Sequence, residues 1–287
     1  MNFTIDLEYT PRSPQDGLPF TEKTFCRRSV PFTFDVKEVG IALVDFWNFG
    51  WDDGPFDEEL GDRSFERGRS HAERKRRIIE TKVGPLVNTL RDMDFQIFHC
   101  NQADFLKHYP QWNQSTTDAE RQSLSANPAS SENLKEERNS QWPSQEWVDS
   151  WKNQHRELIW RMEDWANIQG KLYYQISIPE PVKPQDGDLL VYSGDQFHRL
   201  LAEKRIKILF YMGFETDECL LNKPHGIRNM SRLGYMPIVV TDCTTTYEAA
   251  ETLDGLWKTR VTILNIEAHQ GYSVTSETLL KSVKTMK

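Results

Sequence analysis

Two hydrophobic rhythms run along the chain. Residues 39–46, VGIALVDF, are a nearly continuous apolar run, which suits a strand covered on both faces. After a Gly- and Asp-rich loop, residues 66–92 predict a long helix rich in Arg and Glu. Its apolar positions Ile78, Ile79, Val83, Leu86, Val87 and Leu90 recur at helical spacing, and Pro85 is expected to kink or split it. Phe95–His99 predicts a second strand. Further on, strand-like Leu189–Tyr192, Ile206–Met212, Pro237–Thr241 and Val261–Ile266 alternate with helical segments at about 195–204, 217–233 and 246–258. Alternation of this kind implies right-handed crossovers and a parallel sheet. The predicted class is α/β: three layers around a doubly wound, mostly parallel sheet.

Two stretches stand apart. Residues 1–37 are polar and Pro-containing with scattered aromatics, and predict an extended arm on the main domain or on a partner subunit; residues 38–287 predict one domain. An insertion at about 105–170 follows the second strand. Its part 113–141 has no aromatic, Val or Ile before Gln141, so it predicts a solvated segment, disordered or a mobile flap. A helical stretch then carries Trp147, Trp151, Trp160 and Trp165, read as core or interface packing rather than a substrate-facing wall.

Composition narrows the function classes. With 35 Lys and Arg against 43 Asp and Glu, the formal net charge is −8, which argues against nucleic-acid binding. The basic run RGRSHAERKRR at 67–77 is interleaved with Glu and reads as a solvated helix face or subunit contact. No run reaches the roughly 18 apolar residues of a membrane span, and the first residues lack signal-peptide features. The four cysteines, Cys26, Cys100, Cys219 and Cys243, are widely spaced, against a disulfide scaffold and toward a reduced, cytoplasmic setting.

In open parallel sheets, ligands bind beyond the carboxyl ends of the strands. Asp45, Trp47 and Asn48 follow the first predicted strand, His99 and Cys100 the second. Cys219 follows Ile206–Met212, Asp242 and Cys243 the next strand, and Glu267 and His269 the last. Cys219 sits in a strand-to-helix turn where backbone N–H groups and a helix start favour an oxyanion and a thiolate. Thr216 is a candidate N-cap, and Pro224 marks a kink or a true helix start. The neighbouring Asp217 and Glu218 push the thiol pKa upward. Spacing alone fits a buried small hydrophobe as well as a nucleophile.

The stretch LFYMGFETDECLLNKPHGIRNMSRLGYMPIVVTDCT resembles the nucleophile segment of the isochorismatase-like cysteine hydrolases, with Gly213, Thr216, Cys219, Gly234 and Tyr235 in register. IALVDFWN is similar to that family's opening strand, whose aspartate maps to Asp45. IIETKVGPLVNTLRDMDFQIFHC is similar to its long helix and second strand. The resemblance covers about 39–100 and 176–270. It implies a doubly wound parallel sheet, a Cys–Asp–Lys triad, a cis Phe214–Glu215 peptide, and an oxyanion hole from the N–H groups of Glu215 and Cys219. Trp47, Asn48, Phe214 and the 101–112 loop are expected around the substrate.

The triad lysine is the departure. Its expected place, after a Pro-x-x-Gly-Asp turn, falls on Ser193; Lys183, Lys204 and Lys207 are poor substitutes, and His198, Arg199 and His225 are candidate replacements. Without a cation, Asp45 and Cys219 are expected to hold their protons longer, with Glu215 adding another acid. His99, Asp104 and His108 lack the family's Asp-x-His metal pattern and read as ordinary loop residues, so no metal or cofactor is expected. His269 with Glu267 reads as a pocket wall or subunit contact. The leading expectation is cysteine-dependent hydrolysis of a small amide, carbamoyl or ureido C–N bond through a thioester. Two alternatives stand beside it: isochorismate-type vinyl-ether hydrolysis, and a non-catalytic protein used for binding or assembly. A small-molecule substrate and a homo-oligomer (dimer or tetramer) are the expected partners.

Overall fold

A computed structural model of the chain describes residues 1–65, 67–126 and 142–286. Its centre is β3 (Val39–Val44), whose six residues are all buried. It lies parallel between β4 (Gln96–Cys100) and β6 (Ile208–Phe214). Outside β4 comes β5 (Leu189–Val191), and outside β6 come β7 (Met236–Thr245) and β8 (Tyr272–Val274), all parallel. The hairpin of β1 (Asn2–Tyr9) and β2 (Arg28–Asp35) joins antiparallel at the β8 edge. The eight-stranded order is β2-β1-β8-β7-β6-β3-β4-β5.

Side chains that alternate along a strand point to opposite faces, and here they feed two cores. Ile41 and Leu43 pack under α1 (Arg69–Ile78), α2 (Gly84–Asp92) and the C-terminal α13 (Ser276–Val283). Ala42 and Val44 pack under α8 (Gly194–Lys204), α9 (Cys219–Asn222), α10 (Ile227–Arg232) and α12 (Trp257–His269). The three-layer α/β class is therefore as expected.

Several local expectations are corrected. Residues 1–37 are more than an extended arm on the main domain: they add a hairpin to its sheet, and Phe3, Ile5 and Leu7 alternate with polar residues and turn their side chains into the core, the period of a half-buried strand. Val261–Ile266 is helical, not a strand. Its β-branched residues favour a strand locally, but Thr259, Thr262, Ile263, Ile266 and Glu267 are the buried positions, a helical face. β7 extends to Thr245, so Asp242 and Cys243 lie within it, and it bulges where its register with β6 shifts. Segment 217–233 is two short helices around Pro224, and 246–258 holds only the single turn α11 (Ala250–Leu253) before α12. The long helix at 66–92 is accommodated by a π-turn at Ile79–Val83 just ahead of Pro85.

After β4 the chain forms α3 (Ala103–Leu106), α4 (Trp112–Ser115) and α5 (Asp118–Ala126). The Trp-rich stretch forms α6 (Gln145–Trp160) and α7 (Met162–Lys171). The expected solvated segment falls largely on 127–141, outside the described residues. Trp147 and Trp151 are exposed rather than core, whereas Trp160 and Trp165 pack on each other at 5.4 Å. All four cysteines are free, and no described helix is long and apolar enough to cross a membrane.

The tightest approach in the sheet lies just before the Cys219 turn. A Cβ on Gly213, at φ +137°, would stand 2.0 Å from the Val44 carbonyl oxygen. Gly213→Ala is expected to destabilise the fold by about 3 kcal/mol or more. Gly170→Ala, on an exposed helix face with open space around it, is expected to be neutral or to stabilise by up to about 1 kcal/mol. Urea unfolding of the two variants checks both; equal effects would contradict the close β3–β6 approach.

Candidate active site

The site forms where β3 and β6 end side by side. Asp45 leaves β3 in a left-handed conformation (φ +50°) that Asp tolerates better than most residues. Its N–H donates to the Cys100 carbonyl at 3.0 Å, and the residue is 5% exposed. β6 ends in a cis Phe214–Glu215 peptide, as the resemblance implies. The chain then winds around one carbonyl: Glu215 O accepts from the N–H groups of Glu218 (3.1 Å) and Leu220 (3.2 Å). Thr216 is fully buried; its N–H donates to Thr245 O, and its hydroxyl bonds that of Thr244 at 2.7 Å. It therefore does not cap α9, whose N-cap is Glu218. With only four residues, α9 also lacks the length for the dipole expected to favour a thiolate.

This turn brings the Cys219 thiol close enough to Asp45 for the carboxylate charge to act on it. The missing cation is present: Lys223 Nζ lies 2.9 Å from Asp45 Oδ2 and 3.2 Å from Oδ1. Burial, then the Asp45 charge, push the Cys219 thiol well above its ordinary range, with Lys223 pulling the other way. The resting thiol is thus neutral, beside a carboxylate that a lysine balances. Ser193, where the resemblance expects the lysine, instead caps α8 by accepting from the Gln196 N–H.

None of the residues considered as a replacement cation serves. His225 is buried, and burial together with Lys223 pushes its pKa down to about 3, so it is neutral. His198 bonds the Tyr235 hydroxyl at 2.7 Å, and Arg199 pairs with Glu120 and Glu203. Lys183 pairs with Glu180 and Lys207 with Glu38. Lys223 lies four residues after Cys219, the spacing that puts two side chains on one face of a helical turn. The strand-end pattern directed attention elsewhere.

The acids around Cys219 are each neutralised. Glu215 accepts from His71 Nε2 (2.9 Å) and Lys75 Nζ (3.1 Å), both on the inner face of α1. Despite burial, these partners hold its carboxyl at about 2. Asp217 pairs with Lys258 (3.0 Å) and accepts from the Thr246 hydroxyl. Glu218 pairs with Arg67 (2.9 Å) and accepts from the Tyr247 hydroxyl (2.7 Å). The basic run at 67–77 is therefore not merely a solvated face: Arg67, His71 and Lys75 serve this turn.

The remaining expected residues are spread out. Trp47 follows Asp45 closely, packing on Phe105 (4.7 Å) and Tyr173 (5.6 Å). Asn48 is buried, its amide donating to Asp53 O and accepting from the Ser177 N–H, so it staples two loops. The Phe214 ring lies in the core on Phe46 at 5.2 Å. Cys100 and Cys243 are buried. His99 bonds Asp188 at 2.9 Å, and Asp104 pairs with Lys107. Among the described residues, no group of three or more His, Cys, Asp or Glu is arranged to hold a metal. Glu267 pairs with Arg27, and His269 accepts from Arg12, both away from the cleft on the N-terminal segment.

No protein-family model and no curated protein sequence matches the chain. Among solved structures, a cysteine hydrolase from Pseudomonas syringae pv. phaseolicola is 12% identical with a TM-score of 0.51, over 88% of this chain and 95% of that one. An isochorismatase family protein from Desulfovibrio vulgaris is 13% identical with a TM-score of 0.47, over 86% and 98%. The nicotinamidase of Staphylococcus aureus is 13% identical with a TM-score of 0.36, over 80% and 94%. The likeness is one of fold: the chain has the isochorismatase-like architecture.

Glu215 gives the site a pH signature. Its folded pKa, about 2 against an ordinary 4.5, means that its stabilisation is full above pH about 4.5 and lost as pH falls toward 2. Glu215→Gln strands the buried Lys75 and is expected to cost about 3–5 kcal/mol at pH 7. The variant is also expected to show a shallower acid-unfolding slope below pH 4.5. Urea titrations from pH 7 to 2.5 check this; parallel pH profiles would refute the buried pairing.

Proposed function

We propose that the protein is a cysteine-dependent hydrolase of a small amide, carbamoyl or ureido C–N bond. One observation carries this reading: Lys223 is ion-paired with Asp45 beside the Cys219 thiol, at the carboxyl ends of adjacent parallel strands. A buried lysine–carboxylate pair beside a thiol supplies an acceptor for the thiol proton and a fixed charge to hold that acceptor in place.

In this reading, Cys219 Sγ attacks the substrate carbonyl carbon while its proton passes to the Asp45 carboxylate. The N–H groups of Glu215 and Cys219 stabilise the tetrahedral oxyanion. Asp45 then protonates the leaving nitrogen, the C–N bond breaks, and a thioester remains on Cys219. Water attacks the thioester as Asp45 takes its proton. Collapse of the second intermediate releases the acid, and the proton on Asp45 returns to the sulfur. Lys223 orients Asp45 and balances its charge. Trp47 and the neighbouring Phe105 and Tyr173 provide an apolar wall beside Asp45. The Lys223 contact supplies the cation whose absence motivated a non-catalytic reading, and a thiol beside Asp45 supports amide chemistry over vinyl-ether hydrolysis.

A neutral resting thiol makes substrate-dependent chemistry a better assay than alkylation, because iodoacetamide is expected to label exposed Cys26 before Cys219. Ammonia release should therefore be measured across a panel of small primary amides, carbamates and ureido acids. Cys219→Ala and Asp45→Asn are expected to lower kcat by about a thousandfold or more, and Lys223→Met by about a hundredfold or more. Turnover that survives Cys219→Ala would overturn the thioester route. No turnover by the unmodified protein across the panel would overturn the hydrolase reading for these substrates.

A further inference from the structure

A second cavity, away from the Cys219 cleft, lies along β7. β8 pairs with β7 only as far as Val240, and the chain then turns away into α13. The next part of β7, Thr241–Thr244, thus borders a gap flanked by α1 and α12. A cavity of about 510 Å³ fills it, in the range of small-molecule sites. Thr241, Thr244 and Thr259 contribute hydroxyls, and Ile78, Leu256, Trp257, Ile263 and Leu264 an apolar wall.

Its charge is mostly positive: Arg27, Arg74, Arg77 and Arg260 line the cavity against one lining carboxylate, Asp242. Arg27 is taken by Glu8 and Glu267. Among the described residues, the other three have no carboxylate within ion-pair distance. Arg74 is fixed by Nε on the Thr245 hydroxyl (3.1 Å) and Nη2 on Thr246 O (2.8 Å), and Nη1 makes neither bond. The Arg260 guanidinium lies over the Trp257 ring, 5.4 Å from its centroid. The nearby acids are committed elsewhere. Asp242 accepts from the Ser276 N–H and hydroxyl and pairs with Lys82. Glu248 accepts from the N–H groups of Lys258 and Thr259, and Glu215 is held by His71 and Lys75. Burial already lowers the Arg74 pKa, so an arriving anion would relieve a desolvated guanidinium. Guanidinium favours carboxylate and phosphate because its fork matches their oxygens.

We propose that this cavity binds a small amphipathic anion, a carboxylate or phosphate head on an aromatic or branched apolar body. Arg74, Arg77 and Arg260 hold the head, and Trp257 and Leu264 cover the body. The site is independent of the hydrolase reading, since it shares no residue with the Cys219 cluster. It approaches the Cys219 turn through Thr244, whose hydroxyl bonds Thr216, and through Arg74, which bonds Thr245.

Calorimetric titration of the full chain tests it with 3-phenylpropanoate and phenyl phosphate. Acetate and inorganic phosphate represent the heads alone, and 3-phenylpropan-1-ol the neutral body. At least one aryl anion is expected to bind about tenfold or more tightly than both of its fragments, the tighter one identifying the head. Arg77→Gln and Arg260→Gln, which remove exposed side chains without a hydrogen bond, are each expected to weaken it severalfold, and Arg74→Gln about tenfold or more. Cys219→Ala is expected to leave binding unchanged. Equal affinity for the neutral alcohol, or unchanged affinity in both Arg77→Gln and Arg260→Gln, would overturn the proposal. So would loss of binding in Cys219→Ala, or light scattering that shows a second copy of the chain occupying this face.

Discussion

Charge neutralisation around a short buried turn is the constraint on which the rest of this structure depends. Between Glu215 and Cys219 the chain carries three carboxylates and a thiol, with the Asp45 carboxylate alongside. Charges in a low-dielectric setting are tolerated only when paired and hydrogen-bonded. Each of the four carboxylates has its own cation: Asp45 has Lys223, Glu215 has Lys75, Asp217 has Lys258 and Glu218 has Arg67.

Those cations come from separate parts of the fold, which makes the turn a report on its surroundings. Lys75 requires α1 to be docked on its face of the sheet, and Lys258 requires α12 on the other. The Arg67 guanidinium lies over the rings of Trp160 (3.9 Å) and Tyr247 (4.1 Å), and Lys258 also lies over Tyr247 at 3.6 Å. This cluster of rings and cations ties the end of α6, and with it the inserted helices, to the nucleophile turn. The acids that seemed a liability for a nucleophilic cysteine are thus the points at which α1, α12 and the end of α6 are fastened to it. Lys223 alone remains directed at Asp45 and the thiol.

Much of this was legible in the chain. The apolar run at 39–46 and the later alternation of strands and helices gave the three-layer parallel sheet, and the motif around Gly213, Thr216 and Cys219 located the turn. Three features were not. Phe3, Ile5 and Leu7 alternate as a strand should, but prolines and loop residues around them masked the edge hairpin. The β-branched residues at 261–263 spoke for a strand, while the tertiary setting required a helix with Ile263 and Ile266 inward. Lys223 was hidden because a cation is defined by where its ammonium reaches. A strand-end lysine and a lysine one helical turn past the cysteine deliver that group to one carboxylate from different chain positions. Likewise, His71 and Lys75 sit at helical i, i+4 spacing within a charged run, and nothing local marks those two as buried.

The pairing of Lys223 with Asp45 is the claim that bears most on what the site does, and it is measurable without knowing a substrate. A double-mutant cycle on stability, with Asp45→Asn, Lys223→Met and the double variant compared in urea, isolates the interaction. A contact of this geometry predicts a coupling of about 1–3 kcal/mol, with the double variant more stable than the sum of the single losses. Additivity within about 0.3 kcal/mol would mean that the two side chains do not hold each other in the folded protein, and would contradict the account of the site built on them.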